Sequence, residues 1–290
     1  MRIQEINNGY SEQPVKKPKV GKKKNKSKRK LRWLKLVIEL IIMGACIVLL
    51  AISPLFNIRE IEVYGSEHYN KEEIKNASGI VIGSNGFKAV GSDLRNIFTF
   101  RDGKAEINIL KSCPYVKDVK AVFNITGVIK VKITERKPIG VIQYLGTNLL
   151  VDDQAYVIDT IPNGQKTGVP FLKGLSFNRF KLGQALKLSD KNAIDSAVAL
   201  IEAIKKNDAE NTAFDIKLIK SINYIDISDS EKVTVGVNTK LDVNFGNIQD
   251  LPYQDLTYRI DFLKTILSGN YKSGYIDLSS GKNVYGRDSK

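Results

Sequence analysis

The chain has 290 residues, with 45 Lys and Arg against 31 Asp and Glu, and a net charge of +14. The excess is concentrated, because residues 1–35 hold 13 of the basic residues and two of the acidic ones, leaving 32 basic and 29 acidic for the rest. A protein that binds nucleic acid carries such charge on a folded face, whereas this tail of Lys, Asn, Ser and Pro is too poor in apolar residues to fold. The composition therefore argues against a nucleic-acid partner and predicts a disordered basic tail.

An apolar segment follows the tail at residues 36–55, where LVIELIIMGACIVLLAISPL contains one charged residue, Glu39. At 1.5 Å per residue, about 20 residues span a hydrocarbon core of about 30 Å. Lys and Arg close to one end of such a helix stay in the cytoplasm. The sequence therefore predicts a single-pass membrane protein with a cytoplasmic N-terminus and an extracytoplasmic C-terminus, its basic tail resting on anionic lipid head groups.

Two other interpretations of the apolar segment are weaker. A cleaved signal peptide has an apolar region of about 7–15 residues and a small-x-small cleavage site, and this segment is longer and lacks the site. A lipid-anchored Cys46 would open onto a polar tether, but apolar residues follow it. With Cys46 in the membrane, Cys113 stands alone outside, so the outer region has no disulfide of its own and depends on its hydrophobic core.

The first elements after the membrane are a strand and a short helix. IREIEVYG alternates partly and ends in a glycine, as a strand does. Asn70 can cap a helix, Glu73 is placed to complete a capping box, and Gly79 ends it.

A second helix and two strands complete this region. The helix is predicted to begin after Asp102, to carry Ile107 and Leu110 one turn apart, and to close at Pro114, because proline lacks a backbone donor. Alternating apolar residues over residues 116–136 then predict two strands joined by a tight turn.

The order strand, helix, helix, strand, strand, directly after a transmembrane helix, resembles a POTRA (polypeptide-transport-associated) domain. The resemblance is carried by FNIREIEVYG, EEIKNASGI, GSNGF, LKSCPYVKDV and ITERKPIG. With LLVDDQAYVID at residues 149–159, the chain resembles the bacterial cell-division proteins of the FtsQ/DivIB family. The resemblance implies a POTRA domain at 56–138, a β domain at 139–280 and a short polar tail at 281–290. One departure is KAVGSDLRNIFTFRD, residues 88–102, which is longer than the connection expected in a POTRA domain and is interpreted as an extra short helix.

The predicted second domain is also α+β, so that the whole outer part is an extracytoplasmic α+β structure. Strands are predicted at residues 139–144, 149–151, 156–158, 223–227, 232–237 and 241–245. Two amphipathic helices are predicted from apolar residues at i, i+3, i+4 and i+7, one from a Ser189 cap to about Lys206 and one over residues 254–267. A last strand is predicted at residues 275–279.

The sequence offers little for catalysis, and it predicts no enzyme, cofactor, metal or small-molecule substrate. Catalysis needs a nucleophile and a base, and His68 is the one imidazole available to Cys113. The acidic pairs at 152–153 and 226–229 are interpreted as solvated turns rather than metal ligands. The glycine-rich stretch at 83–91 lacks the Gly-Lys-Ser/Thr ending of a phosphate-binding loop.

The resemblance implies a non-catalytic scaffold of the division complex, located at the septum. In that family the C-terminal part of the β domain binds small bitopic partners, FtsL and the FtsB/DivIC protein. Because a last strand after a helix can form an open sheet edge that accepts a partner strand, the partner-binding residues are predicted to be Tyr275, Ile276, Asp277, Leu278 and Ser279. From the residues alone, an interior strand is slightly favoured at this place. Two rival functions stay open, a membrane-anchored wall-processing enzyme and a sporulation-stage or sensor protein with the same module.

Overall fold

The computed structural model divides into two compact units, residues 1–51 and 52–290. It describes residues 9, 26–91, 93–190, 192–238, 240–269, 273–280 and 285–287.

The first unit is described from residue 26 as one helix, α1 (Lys26–Ala51). Of the described helices it alone is long and apolar enough to cross a membrane, by length and composition, over Arg32–Ala51. The helix ends before the predicted apolar segment 36–55 does, because Pro54 cannot continue a helix. Pro54 instead begins a 3₁₀ turn at Pro54–Phe56. Most of the basic tail predicted at 1–35 lies outside the described residues.

The second unit begins with a sheet in which three described strands take the order β1-β3-β2. These are β1 (Glu60–Tyr64), β2 (Val116–Phe123) and β3 (Val128–Glu135). β3 runs parallel to β1 and antiparallel to β2. Its alternation is confirmed, since Ile129, Val131 and Ile133 are buried in one core with the other strands.

Two helices pack on this sheet, α2 (Lys71–Ser78) and α5 (Gly103–Ser112). The predicted capping box of α2 is confirmed, because Asn70 Oδ1 accepts the Glu73 N–H at 2.9 Å and Glu73 Oε2 accepts the Asn70 N–H at 2.8 Å. Gly79 ends the helix in the left-handed conformation, at φ 67°.

α5 begins after Asp102 as predicted, with Asp102 as its cap, but the apolar residues predicted one turn apart do not form its buried face. Its buried residues include Glu106, whereas Ile107 and Leu110 are exposed. Two hydrogen bonds to Ala121 on β2 set the rotation of the helix. The Ala121 N–H donates to Glu106 Oε1 at 2.9 Å, and the Ala121 C=O accepts the Asp102 N–H at 2.8 Å.

The segment predicted at 88–102 as an extra short helix contains the end of one helix and the whole of another. α3 (Gly86–Val90) is capped by Asn85, and α4 (Leu94–Thr99) is capped by Asp93. They separate α2 from α5, so the described order is strand, four helices and two strands.

Nine strands of the described residues form the larger sheet, in the order β12-β11-β10-β9-β8-β7-β4-β5-β6. Their bounds are β4 (Gly140–Tyr144), β5 (Thr147–Val151), β6 (Val157–Ile161), β7 (Phe171–Lys173), β8 (Ile222–Asp226), β9 (Val233–Val237), β10 (Leu241–Gly246), β11 (Gly274–Asp277) and β12 (Tyr285–Arg287). The strands predicted for the second domain are confirmed, and β7 and β12 are additions. β7 joins the two halves of the sheet by parallel pairing with β4 and β8.

Two helices share a single core with this sheet, α6 (Asn192–Glu210) and α7 (Tyr253–Ser268). Both were predicted, but the Ser189 cap is wrong because α6 starts later. The Asn192 N–H donates to Asp190 Oδ1 at 2.9 Å near the beginning of the helix.

Polar side chains join the smaller sheet to the larger one. Arg136, after β3, contacts Asp152 at 2.6 Å, and Lys117 contacts Asp153 at 3.0 Å. Asp152 is fully buried and not the solvated turn residue that the sequence suggested. The ion pair with Arg136, together with N–H groups from Gln154 and Tyr156, explains how its charge is accommodated.

Candidate partner-binding edge of the larger sheet

The candidate site is the end of the larger sheet formed by β10, β11 and β12. The chain leaves β10, passes through α7 and returns as β11, parallel to β10, with Leu241 opposite Gly274 and Asn244 opposite Asp277. A parallel neighbour requires a crossover of this kind, and here α7 supplies it.

A buried arginine fixes the crossover helix to the ends of both strands. Arg259 on α7 donates through Nη1 to the Phe245 carbonyl and through Nη2 to the Ser279 carbonyl, the latter at 3.0 Å. Burial lowers the pKa of Arg259, and Asp255 and Asp277 oppose that effect. Gly246 makes the junction close, because at φ 71° a Cβ there would lie 2.9 Å from Ser279 Cβ. These contacts hold β11 in place beside β10.

The five predicted partner-binding residues divide by the pleat of β11. Ile276 and Leu278 point into the core and are buried, whereas Tyr275, Asp277 and Ser279 are accessible. The Tyr275 ring lies under Lys232 Nζ, 5.7 Å from the ring centroid. Three of the five side chains can therefore contact a partner directly.

Asp277 is held as a carboxylate. Burial alone would raise its pKa, but hydrogen bonds from Ser279 Oγ at 2.6 Å, the Ser279 N–H at 2.9 Å and Asn244 Nδ2 at 3.2 Å lower it, as does the charge of Lys232. The net shift of the pKa is downward. The outer side of β11 thus carries a fixed negative charge beside an aromatic ring.

The open edge predicted at 275–279 is wrong, because β12 covers β11. β12 lies within the polar tail predicted at 281–290 and pairs antiparallel with β11, with Tyr275 opposite Arg287 and Asp277 opposite Tyr285. Among the strands that the structure describes, the edge of the sheet is therefore β12, one strand further along the chain.

The direction of the backbone N–H and C=O groups shows which of them an added strand could bind. The N–H groups of Gly274 and Leu278 donate to β10 at 3.0 and 2.8 Å, so Tyr275 and Asp277 turn their N–H and C=O groups toward β12. On β12 the residues opposite them face back to β11, and Gly286 between them points its N–H and C=O away from the sheet. An incoming strand would meet Gly286 first.

The groups considered for catalysis are arranged for packing. The exposed His68 ring stacks on Tyr115, with centroids 3.5 Å apart and planes 12° apart. Cys113 is buried, and burial, together with the charge of Glu73, raises its thiol pKa. A nucleophilic cysteine needs the opposite shift. Among the described residues no group of three or more His, Cys, Asp or Glu is placed to hold a metal ion.

The described fold combines one apolar helix, a three-stranded sheet with helices packed on it, and a larger sheet that follows. These features define a class, the POTRA proteins with a single candidate membrane span. Comparison with known proteins agrees, since residues 56–136 match the POTRA domain of the FtsQ type.

Three curated relatives extend the similarity beyond that domain. The chain is 24% identical over 229 residues to a cell division protein DivIB of Clostridium botulinum strain Hall, covering 76% of this chain and 84% of that protein. It is 25% identical over 262 residues to the DivIB of strain Loch Maree, covering 88% and 91%. It is 24% identical over 217 residues to a cell division protein FtsQ of Corynebacterium glutamicum, covering 72% and 83%. The chain is thus similar to the DivIB and FtsQ cell division proteins over most of its length and carries a POTRA domain of the FtsQ type, and these similarities support a role in cell division.

Proposed function

We propose that the protein is a non-catalytic scaffold of the division complex that binds small bitopic partners of the FtsL and FtsB/DivIC type. The partner adds a strand to the C-terminal edge of the larger sheet, next to β12. The observation that carries this proposal is the outward N–H and C=O of Gly286 on a strand whose other side is paired. An added strand gains affinity from such backbone groups and selectivity from side chains at alternate positions.

The rigid mounting of this edge supports the proposal. Arg259 ties α7 to the ends of β10 and β11, so the strand next to β12 is fixed before a partner arrives. A preformed edge lowers the entropy cost of binding. The accessible Tyr275, Asp277 and Ser279 then form the flank of the partner-binding surface.

The placement in the cell follows from the charge pattern. We place the basic residues 1–35 in the cytoplasm, against anionic lipids, with residues 36–55 across the membrane. The POTRA domain at 56–138 and the β domain at 139–280 lie outside, at the division septum. A reporter enzyme that is active only outside the cytoplasm, fused after Lys290, should be active, and the same reporter fused before Met1 should be inactive.

A proline at the outward position tests the edge. Gly286→Pro removes the outward N–H, and its ring obstructs a neighbouring strand, while the pairing with β11 stays intact because proline is tolerated on the free side of an edge strand. The extended backbone that proline requires of its predecessor is the one Tyr285 already has in β12. We expect the full chain, purified from membranes, to retain its partners about tenfold less, a change of about 1.4 kcal/mol.

Gly286→Ala is the matched control, since it keeps the N–H and should retain the partners. Both variants should keep the thermal midpoint of the parent. Equal retention of partners by the proline and alanine variants would contradict strand addition at β12. Depletion of the protein should give filamentous cells, and normal septation would contradict the division role itself.

A further inference from the structure

A polar cavity of about 400 Å³ opens on the larger sheet at β4, β5, β7 and β8. This volume lies in the range of about 300–1,000 Å³ that is usual for small-ligand sites. Four amide side chains line it, together with Lys173 and Tyr224. Among the described residues that line the cavity none carries a carboxylate, so the charge of Lys173 is unopposed there. We call this cavity the amide pocket; its amides are Gln143, Asn148, Asn163 and Asn223.

The pleat of the sheet places two of the amides side by side. Gln143 and Asn148 are opposite each other in the register of β4 and β5, so their side chains leave the same face. This face is turned away from the helices, because the next residue, Leu149, belongs to the core shared with α6 and α7. Asn163, in the loop after β6, is fixed beside the same hairpin by donating through Nδ2 to the Gly146 carbonyl at 3.0 Å.

Asn148 supplies a buried hydrogen-bond acceptor. The residue is 4% exposed, and within the described part of the chain its Oδ1 has no hydrogen-bond partner. Buried acceptors are normally paired, because an unpaired one has lost its bonds to water without replacement. An acceptor of this kind on a residue that lines a cavity indicates a ligand that brings an N–H or O–H donor.

An aromatic ring fixes the position of the cation. Lys173 Nζ lies 3.4 Å from the centroid of the Tyr224 ring, a distance at which the ring attracts the ammonium. The Tyr224 hydroxyl donates to Asp242 Oδ1 at 2.5 Å. The ring also lies against Gly236, where a Cβ would come within 2.1 Å of it. The ammonium therefore rests on a ring that is held at both its face and its hydroxyl.

No described carboxylate neutralises this cation. The ion pairs among the described residues do not include Lys173. Asp226 is opposite it in the register of β7 and β8, but the Asp226 carboxylate accepts the Ser228 hydroxyl at 2.6 Å and the Ser228 N–H at 3.0 Å. Charge complementarity therefore favours a ligand with a negative group at the Lys173 end of the amide pocket.

The separation of the acceptor from the cation sets the length of the ligand. β5, β4 and β7 are consecutive in the sheet, so Asn148 and Lys173 are on strands about 10 Å apart. An extended peptide advances about 3.3–3.6 Å per residue, and about three residues cover this distance. Such a peptide has N–H donors along its length and a carboxylate at its end, which are the two groups that the pocket complements.

We propose that the amide pocket binds the carboxylate end of a short peptide, with the terminal carboxylate on Lys173 Nζ and an N–H of the chain donating to Asn148 Oδ1. The other amides, which both donate and accept, pair with the peptide groups between these two points. The site is on the other half of the sheet from β12, and it does not depend on strand addition there or on the identity of the division partners.

Ligand-observed NMR with the full chain in detergent tests the pocket. The probe is acetyl-Ala-Ala-Ala with a free carboxylate, and the same peptide with a terminal amide is the matched ligand without the charge. We expect the amide form to bind about tenfold more weakly, because hydrogen bonds between an ammonium and a carboxylate are stronger than those to a neutral group.

Three variants assign the two contacts. Lys173→Met should weaken the free acid about tenfold and leave the amide form unchanged. Lys206→Met is the matched control, because Lys206 also lies over a tyrosine ring, 4.6 Å from the Tyr253 centroid, but does not line the amide pocket. Asn148→Leu should weaken both peptides, since both use the acceptor, and should keep the thermal midpoint because Oδ1 has no partner in the described chain to lose.

Equal binding of the acid and the amide by the parent would overturn the proposal, as would unchanged binding of the acid after Lys173→Met. Failure of both peptides to bind would overturn it as well. A folded carrier protein that ends in the same three residues distinguishes the two sources of a terminal carboxylate. Binding of the carrier and the free peptide supports the proposal for protein ends, and binding of the free peptide alone supports it for short peptides.

Discussion

A buried ion pair joins α6 to α7, and we predict that removing one of its partners lowers the stability more than removing the other. Lys264 on α7 is wholly buried, and its ammonium lies 2.7 Å from Asp208 Oδ1 on α6. Asp208 has further partners, because its carboxylate also accepts the N–H groups of Leu218 at 3.0 Å and Ile219 at 2.9 Å. Among the described residues, Lys264 Nζ has no contact with hydrogen-bond geometry, so the charge of Asp208 is its main compensation.

The two substitutions should therefore differ in cost. Asp208→Ala leaves a buried ammonium unpaired and two N–H groups without an acceptor, which costs about 3–5 kcal/mol. Lys264→Met leaves the carboxylate with its two N–H donors and fills the space with an apolar chain, which costs at most about 1–2 kcal/mol. The difference is about 2 kcal/mol, or about 0.7 M in the urea midpoint for a slope of about 3 kcal/mol/M.

Urea unfolding of the full chain in detergent, followed by near-ultraviolet circular dichroism, measures both midpoints. Lys75→Met is the matched control, because Lys75 pairs with the exposed Glu72 at 2.8 Å and such pairs contribute about 0–1 kcal/mol. If Lys264→Met cost as much as Asp208→Ala at an unchanged slope, the reasoning that the carboxylate is the better compensated partner would be refuted.

Three further predictions concern the backbone and the pH dependence of stability. Gly65→Ala should lower the urea midpoint well beyond Gly83→Ala, because both have positive φ but only at Gly65 would a Cβ meet backbone, 2.3 Å from a carbonyl oxygen. Burial and the charge of Asp159 raise the pKa of Tyr115 to about 12, so its contribution to stability is complete below the unfolded value of about 10 and is lost as the pH rises through about 12. Tyr115→Phe should then flatten the alkaline decline of the thermal midpoint, and an unchanged decline would contradict the assignment. The pKa of Asp277 is lowered, so its contribution to folding stability is present above the unfolded pKa of about 3.9 and is lost as the pH falls through the folded pKa. Asp277→Asn should therefore reduce the slope of the thermal midpoint against pH on the acid side.

Local signals in the sequence were reliable where the structure they predict is itself local. The capping box of Asn70 and Glu73 needs four consecutive residues, and it forms as predicted. The alternation along β3 needs one buried face, and it is confirmed because helices and strands cover that face from one side.

Signals that depend on distant residues failed. Ile107 and Leu110 have helical spacing, but the rotation of α5 is set by the hydrogen bonds of Ala121 from another element. Asp152 was interpreted as a turn residue, and the charge it carries in the interior is compensated by Arg136, which precedes it in the chain by the whole β4–β5 hairpin. Neither contact has a counterpart in the spacing of nearby residues.

The same distinction explains the candidate edge. β11 was predicted from its own pattern, but β12 has three residues in a polar stretch, too few for alternation to be recognised. Its position is determined by pairing with β11. Leu278, one of the five residues predicted to bind a partner, is buried, so a charged substitution there would disturb the core and could not test binding alone.

A partner strand could lie beside β12 or replace it, and a disulfide distinguishes the two. Asp277 and Tyr285 are opposite each other in the register, and Cα atoms of such pairs are about 5.5 Å apart, within the range that a disulfide bridges. In the double variant Asp277→Cys and Tyr285→Cys, oxidation should lock β12 on β11. We expect the oxidised and reduced forms to retain the division partners equally, because strand addition uses the free side of β12. Loss of the partners on oxidation alone, restored by reduction, would mean that β12 must leave before a partner binds, and β12 would then be an occupant of the binding edge rather than the edge itself.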